Sequence, residues 1–471
     1  MRMNTELIKK IDELVDADYD NIVKDVIELV NIKSVRGEPL PGAPFGEGPK
    51  KVLDRVLEIG EERGLIPRVY KDTGVVSLAL DEGDIDLGIW IHGDVVPEGD
   101  GWDFEPYNAV EYKGRVIGRG ATDNKGQLVA TLRILQIFKQ LGIKLNYIPA
   151  MYVGSNEETG MGDMIGVPGN DDAKGFVNLY KCPKLSLVPD GGFPMGYGGK
   201  GGMYIWLRAK KPFSGVEINA GLPESPGRAV AIVNAKQCPE LTDCTVECGE
   251  KVTITAESAP KHLAHPDPNG NMITLITKGL LQSGLLCEED KKMVDFLRRI
   301  SLDVEGEMFG VKSGGGVTGD LTLATKDVIM HDGKAEICIN IRYPIEITFD
   351  EIVERMARVS ADNGFEVSRA NRGVNPYLNP CDTEVVLKLT EIANSITGWD
   401  QKPYTVGGGT YAHRLPNAYV YGMSGCFRPE GFPADRGGAH GKDELVSVFR
   451  LQNAMKIYAR AMLALNEMEQ W

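Results

Sequence analysis

The sequence of 471 residues predicts an α/β fold, a mixed but mostly parallel sheet lying between helices, with an α+β domain inserted into it. Three observations carry that expectation. Up to Pro189, short apolar runs of strand length alternate with longer stretches of helical periodicity, the pattern of strands joined by helical crossovers. Imidazoles and carboxylates stand where the apolar runs stop, which is where open α/β sheets collect their ligands. After Asp190 the texture changes to short strands with few helices, opened by the Gly- and Pro-rich stretch Gly191–Gly202.

In order along the chain, Ile22, Val23, Val26, Ile27 and Val30 recur at helical spacing and mark residues 5–33 as helix. Ser34 to Gly48 reads as loop, and Val52, Leu53, Val56 and Leu57 mark a second amphipathic helix. Val69-Tyr70 and Val75 to Leu80 suggest a hairpin, followed by a buried strand over Leu87–Ile91. Lys125 to Leu141 is helical, with Leu128, Leu132 and Leu135 on one face and Gly142 as its stop. Strands are expected over Leu145–Val153 and Leu185–Pro189. In the middle segment, Met203–Ala209, Lys251–Ala256 and Ala335–Tyr343 read as strands, and Asn271–Gln282 and Asp350–Asn363 as its two helices. A helix starts again at Thr383, and Leu445–Met468 closes the chain. The domains implied are a split one, residues 1–195 and 382–471, and an insertion, residues 196–381.

The length calls for two cores. A net charge of −15 argues against nucleic acid or an anionic membrane as partner. No run approaches the roughly 18–20 apolar residues of a membrane span, and the N-terminal residues lack the apolar core of a signal peptide. The eight cysteines are scattered without a C-x-x-C pair. They are expected to be free thiols in a reducing cytoplasm.

Chemistry concentrates in a few places. His92-Gly93-Asp94 ends the Leu87 strand, Asp123 lies on a Gly-rich turn, Glu157-Glu158 follows the next strand, and Asp190 follows another. A single histidine or glutamate pair is commonly just a solvated polar group. Carboxylates gathered at successive strand ends repel one another unless a cation sits among them, and mixed imidazole and carboxylate ligands suit zinc, manganese or cobalt.

Several motifs together resemble the ArgE/DapE/carboxypeptidase G/carnosinase group of dinuclear metallopeptidases, and most closely its long PepV-type dipeptidase branch. They are His92-Gly93-Asp94-Val95-Val96-Pro97, Gly118 through Gly126, Glu157-Glu158-Thr159-Gly160, Pro189-Asp190, Gly407-Gly408-Gly409-Thr410 and His440, in the family's order. The resemblance implies a zinc-exopeptidase-like, three-layer catalytic domain with an inserted lid. It implies two Zn2+ per subunit, with Mn2+ or Co2+ as substitutes. His92 and Asp190 would hold one ion and Glu158 and His440 the other, with Asp123 bridging through a residue whose peptide to Asn124 is cis. Asp94 would hydrogen-bond the far nitrogen of His92, and Glu157 would be the general base. From the lid, His265 would stabilise the oxyanion, with His262 as its rival, and Arg342 in Asn340-Ile341-Arg342-Tyr343-Pro344 would clamp a substrate carboxylate. Gly408, Gly409 and Thr410 would bring bare backbone to the substrate, and His413 could touch it.

The chain departs from the family pattern after Ala264-His265, where Pro266-Asp267-Pro268-Asn269-Gly270 is shorter than usual. It departs again at Gly221-Leu222-Pro223-Glu224-Ser225-Pro226, where the family usually has a substrate-binding Asn before a Val-Pro and Asn219 is only a neighbouring candidate. His413 stands where relatives often have Arg. The implied reaction is hydrolysis of a dipeptide or similar small amide with a free carboxylate, by a monomer or homodimer. The lid would close on hinges at Gly191–Gly202 and Asn379–Asp382. The same machinery would also serve an N-acyl amino acid deacylase or desuccinylase. A non-catalytic metal-containing binding protein would not need Glu157, and a dinucleotide-dependent oxidoreductase would need a G-x-G-x-x-G that the chain lacks.

Overall fold

The computed structural model describes residues 5–221, 227–258, 266–423, 425, 427–469 and 471. The chain forms two compact units. The larger comprises Met1–Gly198, Asn379–Tyr404 and Thr410–Trp471, and the inserted one Gly199–Leu378 with Thr405–Gly409. The Gly407–Gly409 stretch, read from sequence as part of the split domain, thus clusters with the insertion.

The sheet of the larger unit runs in the order Ile66–Tyr70, Val75–Ala79, Pro149–Gly154, Leu87–His92, Leu185–Val188, Ala418–Val420 and Gly196–Gly199. Its centre is parallel: Leu87–His92 pairs with Pro149–Gly154 on one side and Leu185–Val188 on the other, and Ala418–Val420 continues parallel to the latter. The outer pairs, from Ile66 to Gly154, are antiparallel. Every residue of the Leu87–His92 and Pro149–Gly154 strands is buried, as continuous apolar runs in a helix-covered sheet should be. Helix Gly126–Gln140 packs on those two strands and against helix Val448–Leu465, and helix Glu47–Glu62 packs on the first two strands. Leu128, Leu132, Leu135, Leu451, Met455 and Tyr458 join one apolar core.

The expected N-terminal helix over 5–33 is two helices, Thr5–Ala17 and Tyr19–Val30. Asp18 breaks it: its carboxylate pairs with Arg133 and accepts from Asn21, so the residue serves as a junction rather than a helical position. The ends of the insertion leave the larger unit side by side, because the Asn379 amide donates to the Tyr197 carbonyl at 2.8 Å.

The inserted unit is one antiparallel sheet of eight strands, in the order Thr245–Cys248, Val252–Glu257, Arg228–Val233, Val216–Ala220, Thr322–His331, Lys334–Tyr343, Gly201–Ala209 and Phe365–Val374. Helices Met272–Gln282, Glu288–Leu302 and Phe349–Asp362 contribute to its core. Asn271 caps the first by accepting from the Ile273 amide, and Thr348 with Glu351 forms a capping box on the third. The helix Glu288–Leu302 was not among the two expected. Its first turns, Glu288-Glu289-Asp290-Lys291-Lys292, are charged enough to mask the buried stripe of Val294, Phe296, Leu297 and Ile300. The cysteine expectation also needs correction: Cys238, in the stretch before the edge strand, and Cys248, at that strand's end, are joined by a disulfide at a Cα separation of 5.8 Å. Cys182, Cys244, Cys287, Cys338 and Cys381 are free. Among the described residues no helix is long and apolar enough to cross a membrane.

Candidate metal centre

The central strands deliver their polar ends to one place. His92 is the last residue of its strand, Glu157 and Glu158 follow Pro149–Gly154, and Asp190 follows Leu185–Val188. Asp123 sits on the turn before helix Gly126–Gln140, and its peptide bond to Asn124 is cis. His440 comes from the loop that precedes Leu445–Ser447. The larger unit thus assembles all six side chains.

Asp123 is the hub. One of its oxygens lies 3.0 Å from His92 Nε2 and the other 3.2 Å from His440 Nε2. His440 Nε2 is also 3.0 Å from Glu158 Oε2, and Asp190 Oδ2 stands 4.0 Å from His92 Nε2. Donor atoms of His92, Glu157 and Asp190, and separately of His92, Asp123 and Glu158, lie within 4.8 Å of one another. Glu157 therefore reaches the His92–Asp190 side of the cluster, while Glu158 reaches His440.

The hydrogen-bonding pattern requires a cation. His92 Nδ1 is 3.0 Å from the main-chain carbonyl of Asp94, which can only accept, so Nδ1 carries a proton. A neutral imidazole then turns a lone pair at Nε2 toward the Asp123 carboxylate, and two acceptors face each other. Either a second proton or a metal ion resolves this. Burial pushes the His92 imidazole down, but the carboxylates of Asp123, Asp190 and Asp94 outweigh it and hold its pKa well above the usual value. Hydrogen bonds to Asp123 and Glu158 take His440 up to about 11. Burial, with Asp190 nearby, raises Glu157 far above the ordinary carboxylate range. Burial and the Asp123 carboxylate push Asp190 up to about 7. Glu157 Oε1 and Glu158 Oε1 are buried without a hydrogen-bond partner. Crowded acids, imidazoles and unsatisfied buried oxygens are a donor set that fits metal binding of the zinc, manganese or cobalt kind.

Asp94 differs from its expected contact. Its carboxylate stands 3.6 Å from His92 Nδ1, beyond a hydrogen bond, and instead accepts from the amides of Glu157 at 3.0 Å and Glu158 at 3.2 Å. It orders the glutamate turn, while its own carbonyl fixes the imidazole.

Of the remaining candidates, Arg342 is half-buried on the Lys334–Tyr343 strand of the inserted unit. The Thr410 amide donates to His413 Nδ1 at 3.2 Å and the Thr410 hydroxyl oxygen accepts from Ala412, closing the short turn Tyr411–His413. Gly408 and Gly409 lead into it. His265 and His262 lie outside the described residues, as do Leu222–Pro226.

Sequence reasoning missed two buried carboxylates that shape the centre. Asp163 accepts from the amides of Ser155 and Asn156, just before the glutamates, and from the Tyr411 hydroxyl. Glu444 accepts from the amides of Gly120, Thr122 and Asp123. The only signal available was acidity at positions the fold buries.

Comparison with known proteins agrees with this architecture. A Bacillus subtilis protein named "Putative dipeptidase YtjP" is 27% identical over 495 residues, covering 99% of this chain and all of that one. Among solved structures, the dipeptidase Dug1p of Saccharomyces cerevisiae superposes with a TM-score of 0.62 at 14% identity, covering the whole of both chains. Human carnosine dipeptidase 1 gives 0.59 at 14% identity over 98% of this chain and all of that one. Both share the fold. The model of peptidase family M20/M25/M40 matches residues 88–464, a span that holds every residue of the metal centre, and the chain is a member of that peptidase family.

Proposed function

We propose that the chain is a cytoplasmic, metal-dependent dipeptidase, an exopeptidase acting on dipeptides or similar small amides with a free carboxylate. The observation that carries the reading is Asp123, whose two oxygens face two imidazoles from stretches far apart in the sequence. The dipeptidase name of the B. subtilis relative supports the substrate class.

His92 and Asp190 would hold one zinc ion and Glu158 and His440 a second, with Asp123 shared; Mn2+ or Co2+ would substitute. Such ions lower the pKa of water toward neutrality and polarise an amide carbonyl. Glu157 has the role of general base: it takes the proton of the attacking water and returns one to the leaving nitrogen. Its buried position, where the charged form is costly, makes it a strong proton acceptor. Asp94 holds the Glu157–Glu158 turn in register through the two amides. Arg342 clamps the substrate carboxylate, for which a planar guanidinium is the matching fork. Gly408, Gly409, Thr410 and His413 line the substrate's path, and His265 would stabilise the oxyanion.

The test is hydrolysis of a panel of dipeptides and N-acetyl amino acids by the native chain and Glu157→Ala, each stripped and reloaded with Zn2+, Mn2+ or Co2+. Metal-dependent cleavage of dipeptides, with a variant that binds metal but does not cleave, is the expected result. Faster turnover of the N-acyl amino acids would shift the assignment to a deacylase. A native chain that binds metal and cleaves neither would refute the enzymatic reading.

A further inference from the structure

Glu444 lies four residues beyond His440 and is fully buried. Its Oε1 accepts the amides of Thr122 and Asp123, each at 3.0 Å. Its Oε2 accepts the Gly120 amide at 3.1 Å and Arg119 Nη1 at 2.6 Å. Arg119 is buried too, and its Nη2 donates to the carbonyls of His440 at 3.2 Å and Glu98 at 3.1 Å. The guanidinium lies over the Trp102 ring, 5.1 Å from its centre. One carboxylate and one guanidinium are therefore shared between the turn that presents Asp123 and the loop that presents His440.

Two features make this more than a buried ion pair. Arg119 and the amides of Gly120, Thr122 and Asp123 all donate to the carboxylate, so both oxygens must accept. Glutamine matches the shape but turns an NH2 group toward N–H donors in either orientation. The loop is also held in an uncommon conformation: His440 has φ +59° and Asp443 φ +49°. Non-glycine residues persist there when the surroundings over-determine them. Asp443 adds to that constraint by accepting the Asp103 and Phe104 amides and pairing with Arg436.

We propose that Glu444, acting with Arg119, is a positioning residue that fixes Asp123 and His440 relative to each other for metal binding, an inference that rests on the metal-site reading above. Without this clamp, each ligand loop would have to be ordered when the ion binds. Groups that orient metal ligands typically contribute a factor of about 10–100 in metal affinity.

The test uses the full chain stripped of metal and titrated with Co2+, followed by calorimetry and by the visible absorption of the bound ion. Native chain, Glu444→Gln and Arg119→Lys are compared, with circular dichroism as the check on folding. Both variants should bind Co2+ more weakly, Glu444→Gln by about 10–100-fold, and with shifted visible bands that a purely structural loss would not produce. Native bands with native affinity in the folded variants would overturn the clamp and leave the metal site standing. If Glu444→Gln does not fold, Arg119→Lys decides by the same criterion. Absence of Co2+ binding by the native chain would overturn the metal-site reading itself, a distinguishable failure.

Discussion

The Tyr411 hydroxyl donates to the buried carboxylate of Asp163, although the residues are 248 positions apart. The same oxygen of Asp163 receives the amides of Ser155 and Asn156. One carboxyl group thereby ties the strand end that leads to Glu157 to the turn that begins at Thr410. Gly154 permits the approach, since a Cβ there would fall 2.0 Å from the Tyr411 hydroxyl. Tyr411→Phe removes only the donor and should lower unfolding stability by about 1–3 kcal/mol, the cost of a buried polar group left short of a partner. Denaturant unfolding measures it, and an unchanged midpoint would show the bond to be dispensable.

Burial, with the Asp94 carboxylate nearby, pushes Asp163 from 3.8 up to about 7. The folded chain then holds this proton more tightly than the unfolded chain. The stability it confers is fully present below pH 4 or so and is lost as pH rises through about 7. Relative to Asp163→Asn, the metal-free native chain should lose up to about 1.4 kcal/mol per pH unit inside that window and level off above it. Parallel stability curves for the two proteins would count against the raised pKa.

Metal binding should release protons. His440, held up to about 11, and Asp190, up to about 7, must both give up protons to become ligands. Calorimetric titration of stripped chain with Zn2+ in buffers of different ionisation enthalpy should show net release, and apparent affinity should rise with pH. A metal supplied at 100 times its Kd should also stabilise the fold by about 2.7 kcal/mol. Proton-neutral binding would mean that these two groups are not the ligands.

Arg342→Ala should raise KM for dipeptides while altering kcat less, because the proposed contact would be made in the ground state as well. A hydrogen bond to a charged group is worth about 1.5–3 kcal/mol, roughly 10–150-fold. Arg342→Lys should restore little of it, since an ammonium cannot reproduce the two-pronged fork. A dipeptide amidated at its C-terminus should be indifferent to both substitutions.

The Cys238–Cys248 bond spans a sequence separation of 10. Closing so short a loop in the unfolded chain corresponds to about 2–3 kcal/mol. Replacing both cysteines by serine should destabilise the inserted unit by that amount, and a reductant should do the same to the native chain only. Equal response of both proteins to reductant would place the effect elsewhere.

Much of the centre could be read from sequence because its residues obey one rule. His92, Glu157, Glu158 and Asp190 end apolar runs of strand length, and a strand end in an open α/β sheet is a place for ligands. Asp123 was marked by its Gly-rich turn, whereas His440, also on a loop, came only through family resemblance. Glu444 and Asp163 were invisible: the amides that Glu444 binds lie 321 to 324 positions away, and acidity alone does not distinguish a buried clamp from a solvated surface. The helix Glu288–Leu302 was hidden for the opposite reason, its charged opening concealing an apolar stripe. The disulfide was hidden because nothing in the spacing of Cys238, Cys244 and Cys248 selects the outer two. For Asp94 the resemblance implied a carboxylate contact to His92, which its main-chain carbonyl makes instead, while the carboxylate accepts the Glu157 and Glu158 amides.

The hydrogen bond from Asn379 to Tyr197 has a bearing on how such a chain can change over time. The insertion enters and leaves its host through neighbouring residues, so the host's backbone is nearly continuous without it. A few residues would bridge the gap. Because closure entropy grows only with the logarithm of loop length, the guest can lengthen or shorten at almost constant cost to the host. The guest can then be rebuilt while the side chains of the candidate metal centre stay fixed in a scaffold that does not register the change.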